Sequence, residues 1–122
     1  MIRPVSLFLI AALNLSAANW PMWRYDVERT AESPQKLPEE LSLLWKRELP
    51  KPSPAFNDVR LQFDKSYEPI VNGKRLYLAS ARENCVTAYD TDTVKELWRF
   101  FVNGPVRLAP VAWQGRVLFG AD

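Results

Sequence analysis

The sequence predicts an all-β chain built of antiparallel four-stranded units, and three observations carry that expectation. Between Ile70 and Val102, apolar runs of strand length alternate with turn residues. One of those turns is Asn72-Gly73, the strongest short hairpin signal, since both central residues of the tight turn need positive φ. The pattern that begins at Glu68-Pro69 then begins again at Ala109-Pro110, 41 residues on. Composition agrees with folded protein: of 122 residues, 48% are hydrophobic and 25% charged, ordinary values for one small domain.

Charge and cysteine usage remove several classes of chemistry. Sixteen Lys and Arg against fourteen Asp and Glu give a net charge of +2, with the signs interspersed, so no nucleic-acid or polybasic membrane patch is implied. There is no His and a single Cys, Cys85. That excludes a disulfide within the chain, Cys/His zinc sites, His bases and His-containing triads.

Residues 1–18 read as a secretory signal peptide: Arg3, then the apolar run Val5 to Leu13, then small and polar residues to Ala18. Cleavage after Ala18 sets Ser16 and Ala18 where the peptidase requires small side chains; Ala17 is the alternative. The apolar run is nearer ten residues than the roughly twenty that span a bilayer, so no membrane span is expected after cleavage. The chain is therefore expected to be exported, to a periplasm or cell envelope.

Residues 19–66 read as an N-terminal arm, a Pro-rich loop and a leading strand. Trp20, Met22, Trp23 and Tyr25 are a dense aromatic group that needs a surface to lie on. Ten Pro stand against four Gly, and Pro34, Pro38, Pro50, Pro52 and Pro54 crowd one stretch, ruling out regular helix or central strand there. Leu41 to Leu49, stopped by Pro50, is expected to form a strand around Trp45, and Lys51 to Ser66 an extended loop.

Residues 67–122 carry the repeat. Four runs, Ile70-Val71, Arg75 to Ser80, Cys85 to Tyr89 and Glu96 to Val102, are expected to form a meander, the third turn being Asp90-Thr91-Asp92-Thr93. In the second copy, Pro110 follows Pro69 by 41 residues and Gly115 follows Gly73 by 42, which implies one inserted residue and places Phe119 at the position of Tyr77. Leu44-Trp45-Lys46 likewise echoes Leu97-Trp98-Arg99. A period of about 40 to 45 residues with four strands per unit is the signature of a β-propeller blade. The competing reading is a plain β-sandwich or meander core in which Trp45, Trp98 and Trp113 are apolar fillers.

Ala88-Tyr89-Asp90-Thr91-Asp92-Thr93-Val94-Lys95-Glu96-Leu97-Trp98 resembles the tryptophan-docking motif of PQQ (quinoprotein) repeats, A-x-D-x-x-T-G-x-x-x-W, with Ala88, Asp90, Thr93 and Trp98 in register. The resemblance implies that Asp90 and Thr93 brace the turn between third and fourth strands while Trp98, and Trp45 by its echo, pack between blades. Both roles suit the side chains, a carboxylate and hydroxyl able to bind turn amides and an indole with a broad rigid face. Val94 departs from the family's glycine; a β-branched residue at positive φ means either another turn type or strain of about 1 to 2 kcal/mol. Trp20-Pro21-Met22-Trp23-Arg24 with Asp26, Arg29 and Thr30 is also similar to the entry segment of exported PQQ-like propellers.

Propellers close with about four to eight blades, and the sequence holds one full blade and the start of a second. It is expected to be the N-terminal part of a longer propeller, a piece of an incomplete ring from a truncated reading frame, whose partners are other propeller blades or envelope proteins, with the strand around Trp45 latching the ring. The expected function is that of an exported, non-catalytic PQQ-like scaffold or binding module without a cofactor. The alternative is a fragment of a PQQ-dependent quinoprotein dehydrogenase, in which PQQ and calcium would sit on the propeller axis. That branch commonly uses adjacent cysteines and a calcium-binding set, and no match to either is found in this stretch. No catalytic, cofactor or metal residue is assigned: Glu39, Glu40, Glu83, Asp90 and Asp92 sit in polar loop contexts, and the four glycines form no phosphate-cradling loop. Arg24, Arg29, Arg82, Arg107 and Arg116 could line an anionic site, although arginines beside aromatics commonly cover apolar surface with their stems. Cys85 is expected to be buried and inert.

Overall fold

The computed structural model describes residues 18–62 and 66–122. The signal peptide expected at 1–18 lies outside the described residues except for Ala18. The chain is almost entirely β and loop: β1 Ile70–Asn72, β2 Arg75–Ser80, β3 Cys85–Asp90, β4 Glu96–Phe101, β5 Val111–Trp113 and β6 Arg116–Leu118. One 3-10 turn, Val59–Leu61, with the Asp58 carboxylate accepting from the Arg60 amide, interrupts the loop expected between Lys51 and Ser66.

The first four strands pair antiparallel in chain order, β1-β2-β3-β4, and β5-β6 form a separate hairpin. Four β-rich runs joined by short turns can only return on themselves, so the meander follows directly from turn spacing. The hairpin turn differs in detail from expectation. Asn72 pairs with Arg75, so the two central residues are Gly73 and Lys74, and Gly73 alone carries positive φ, +60°. That is the pattern of a II′ turn with glycine first, not of an Asn-Gly I′ turn. Asn72 instead stays in the ladder, and Asn19 Oδ1 accepts from the Gly73 amide at 2.7 Å.

In the second hairpin, Trp113 pairs with Arg116 around Gln114-Gly115, both at positive φ, 45° and 74°. Ile70–Tyr77 thus corresponds to Val111–Leu118, and Asn72–Arg75 to Trp113–Arg116, at one constant offset of 41. No residue is inserted; the glycine occupies the first turn position in one hairpin and the second in the other. Leu118, and not Phe119, stands at the position of Tyr77.

Strand alternation sorts the sheet into two faces. Ile70, Tyr77, Ala88 and Trp98 lie opposite one another in adjacent strands and form a row across the first face. Leu78, Thr87 and Arg99 form a row on the second. Strand β3 is buried from Cys85 through Tyr89, whereas β4 is exposed at every residue except Arg99. Ile70 and Val86 are fully buried, each contributing about 1.5 to 3 kcal/mol of burial.

The first face takes the second hairpin: Ala112 joins Ile70, Tyr77 and Ala88 in one cluster, with Ala109 and Val117 against it, and Phe119 meets Phe100 edge-to-face at 6.1 Å. The N-terminal arm stitches the two sheets. Trp20 exchanges backbone hydrogen bonds with Val71 at 2.7 and 2.9 Å, and the next carbonyl, Pro21, accepts from Ala112 of β5 at 2.8 Å. Within the arm, Trp20 and Tyr25 stack edge-to-face.

The strand expected at Leu41 to Leu49 is not one: residues 41–50 belong to no sheet and all are exposed. Strand identity requires a partner ladder, and Pro50, Pro52 and Pro54 hold the following chain off any edge. The segment crosses the second face through side chains alone.

Gly104 is buried against the Asp122 backbone, whose amide donates to Pro105 at 3.2 Å; a Cβ on residue 104 would collide with the Asp122 carbonyl. Gly104→Ala is expected to detach this tail without unfolding the sheet. Amide exchange would show it as lost protection at Asp122 with protection in β2 and β3 unchanged.

Candidate docking site at the turn between the third and fourth strands

Asp90 ends β3 and organises the turn. One carboxylate oxygen, Oδ1, accepts from the Thr93 amide at 2.7 Å, the Thr93 hydroxyl at 2.8 Å and the Asp92 amide at 3.1 Å. These donors, the Thr93 amide first, hold the Asp90 carboxyl below its usual range, so the brace is fully charged near neutral pH. The backbone closes the loop as well: the Val94 amide donates to the Asp90 carbonyl and the Asp90 amide to the Lys95 carbonyl, each at 2.9 Å. Asp90 and Thr93 thus close the turn through one carboxylate oxygen.

Val94 adopts φ +60°. Of the two possibilities left by its β-branched side chain, the left-handed conformation is the one present. The Asp90 brace and the β-bulge beside Ala88 and Tyr89 over-determine the backbone here, so the strained residue is tolerated.

Trp45 docks on this turn. Its indole N–H donates to the Thr91 carbonyl at 2.9 Å, and the Thr91 amide donates to the Lys74 carbonyl at 3.1 Å, so the Thr91 backbone links Trp45 to the first hairpin turn. Lys74 also pairs with Asp92 at 2.7 Å, which raises the lysine pKa, though both groups are exposed and such a pair contributes little. Two residues beyond Trp45, the Arg47 guanidinium lies 4.4 Å from the centre of the Tyr89 ring and donates to the Val94 carbonyl at 3.0 Å. Arg47, Tyr89 and Thr91 were not foreseen. The echo Leu-Trp-basic pointed to Lys46, which pairs with Glu48 instead, and only strand alternation from Trp45 could have selected Arg47.

Trp98 sits on the first face, against Tyr77 at 5.8 Å between ring centres, opposite Ala88. Both Trp45 and Trp98 remain 38% exposed. The site residues thus divide: Asp90, Thr93 and Trp45 meet at one turn, Ala88 and Trp98 share the sheet face that receives β5–β6, and Asn72 and Gly73 serve the adjoining hairpin.

Elsewhere, Arg24 and Arg29 lie 5.7 and 5.1 Å from the Trp23 ring centre, in a loop closed by Thr30 donating to Asp26. Cys85 is fully buried, and burial pushes its thiol pKa up, making it unreactive. Among the described residues no group of three or more His, Cys, Asp or Glu side chains is placed to hold a metal ion, and no helix is long and apolar enough to cross a membrane. No protein-family model, curated protein or solved structure matches the chain.

Two substitutions probe the turn. Val94→Gly is expected to raise stability by about 1 kcal/mol, the left-handed strain relieved exceeding the added chain entropy of glycine; urea unfolding reads it. Trp45→Phe, which removes the N–H and the five-membered ring but keeps a benzene ring, is expected to cost about 1 kcal/mol, and Trp45→Ala roughly twice that. No measurable cost for Trp45→Phe would show that the Thr91 hydrogen bond contributes nothing.

Proposed function

We propose that the chain is an exported, non-catalytic scaffold module of the PQQ-like propeller type, which works by packing its sheet against further sheets of the same kind. The observation that carries this reading is the seat of Trp45: an indole outside the sheet bonded to the Thr91 carbonyl, within a turn braced by Asp90 and Thr93. Sheet-on-sheet packing by the β5–β6 hairpin on the first face supports it too, since a second unit begins at a constant 41-residue offset on the first. The outer half of that face, with Trp98 and Phe100, is left exposed beside the hairpin, which suits a module whose partners are neighbouring blades or envelope proteins. Binding through such faces needs shape and apolar area, and no reacting group.

The chain expressed from its first codon is expected to appear outside the cytoplasm with Asn19 at its N-terminus, by mass spectrometry. Supplied with PQQ and calcium, it is expected to give no dye reduction with alcohols or aldose sugars. Turnover would overturn the non-catalytic assignment, and an intact Met1 on the accumulated protein would overturn export.

A further inference from the structure

We propose that β4 is a self-association edge: it pairs antiparallel with β4 of a second copy, in the register that sets Trp98 against Phe100 of the other copy and Arg99 on the two-fold axis. Among the described residues β4 pairs only with β3, so its outer edge presents a row of unpaired amides and carbonyls. The edge is blunted only at its start, where Lys95, Glu96 and the bulge before Trp98 interrupt the ladder. From Trp98 to Phe101 it is regular and carries three aromatics, 38%, 56% and 63% exposed at Trp98, Phe100 and Phe101.

The pattern of that edge is self-complementary. In one continuous antiparallel sheet with a two-fold axis normal to it, residues opposite one another share a face. Trp98 and Phe100 point to the first face, in the rows of Ala88 and Val86. Centring the axis on Arg99 sets Trp98 opposite Phe100 twice, four rings in contact, extended at each end by Phe119 against Phe100. Centring it on Trp98 instead sets Glu96 opposite Phe100, a charge against a ring. The two Arg99 side chains meet on the second face, but each is already bonded to Glu96 at 2.8 Å and close to Glu83 at 3.5 Å, so their mutual repulsion is compensated within each copy.

Area sets the strength. With an aromatic side chain carrying roughly 150–250 Å², Trp98, Phe100 and Phe101 together with Leu97 expose on the order of 400 Å² per copy. Two copies and the backbone edge bring the buried total to about 1,000 Å², the lower bound for a specific interface. A reversible dimer in the micromolar range is expected. This pairing needs the backbone edge of β4, which the scaffold reading does not use, and the two readings share the Trp98 and Phe100 rings.

Sedimentation equilibrium of the purified chain from low micromolar to submillimolar concentration is expected to show monomer passing to dimer. Phe101→Lys, at a position more than half exposed, is expected to weaken the dimer by about tenfold or more while leaving the far-ultraviolet circular dichroism unchanged. Under mild oxidation Arg99→Cys is expected to give a disulfide-linked dimer, and Leu108→Cys, exposed outside β4, is not. A monomer at every concentration overturns the proposal. So does a dimer indifferent to Phe101→Lys, or one that cross-links through position 108 and not 99.

Discussion

The constraint on which the structure depends is that β3 is buried on both sides. Cys85 to Tyr89 lie in the middle of a four-stranded sheet with apolar or neutral side chains alternating to each face. A lone sheet has one face too many: a strand of this composition is stable only when both faces are covered. The chain meets the demand with unlike covers. The first face receives a regular element, the β5–β6 hairpin; the second receives an irregular one, the Trp45 to Pro50 segment, held by its side chains and by Tyr67 donating to the Pro50 carbonyl at 2.9 Å.

The turn after β3 joins these layers. Asp90 draws three donors onto one oxygen and so holds the Thr91 carbonyl outward, where the Trp45 indole finds it. The same turn abuts the Gly73-Lys74 hairpin through the Thr91 amide. Strain at Val94 is therefore the local cost of a loop that serves two neighbours, which accords with strained backbone persisting where surrounding contacts over-determine it. The outer strand shows the opposite situation. β4 has lost the cover its neighbours enjoy, and its aromatics face solvent as far as Phe101.

The four strands of the first sheet were legible because strand alternation and turn residues are local signals. Arg75 to Ser80 and Cys85 to Asp90 fall where β-branched and aromatic runs sit between Gly, Asn and Asp. The Asp90 turn is local in the same way, a side chain bonding amides two and three residues on. The register of the first hairpin was not legible. Asn72-Gly73 is compatible with two turns one residue apart, and the choice fell to Asn19, fifty-four positions distant, which bonds the Gly73 amide. The constant offset of the two hairpins was hidden likewise, because a glycine satisfies either central turn position.

What the amino-acid order determined by itself is the all-β character, the meander and the braced turn, since each rests on interactions spanning a few residues. Tertiary structure alone decided that Leu41 to Leu49 is no strand and that Trp45 and Trp98 serve different surfaces. A strand is defined by its partner and an indole by the surface that meets it, and neither is a property of the segment that carries them.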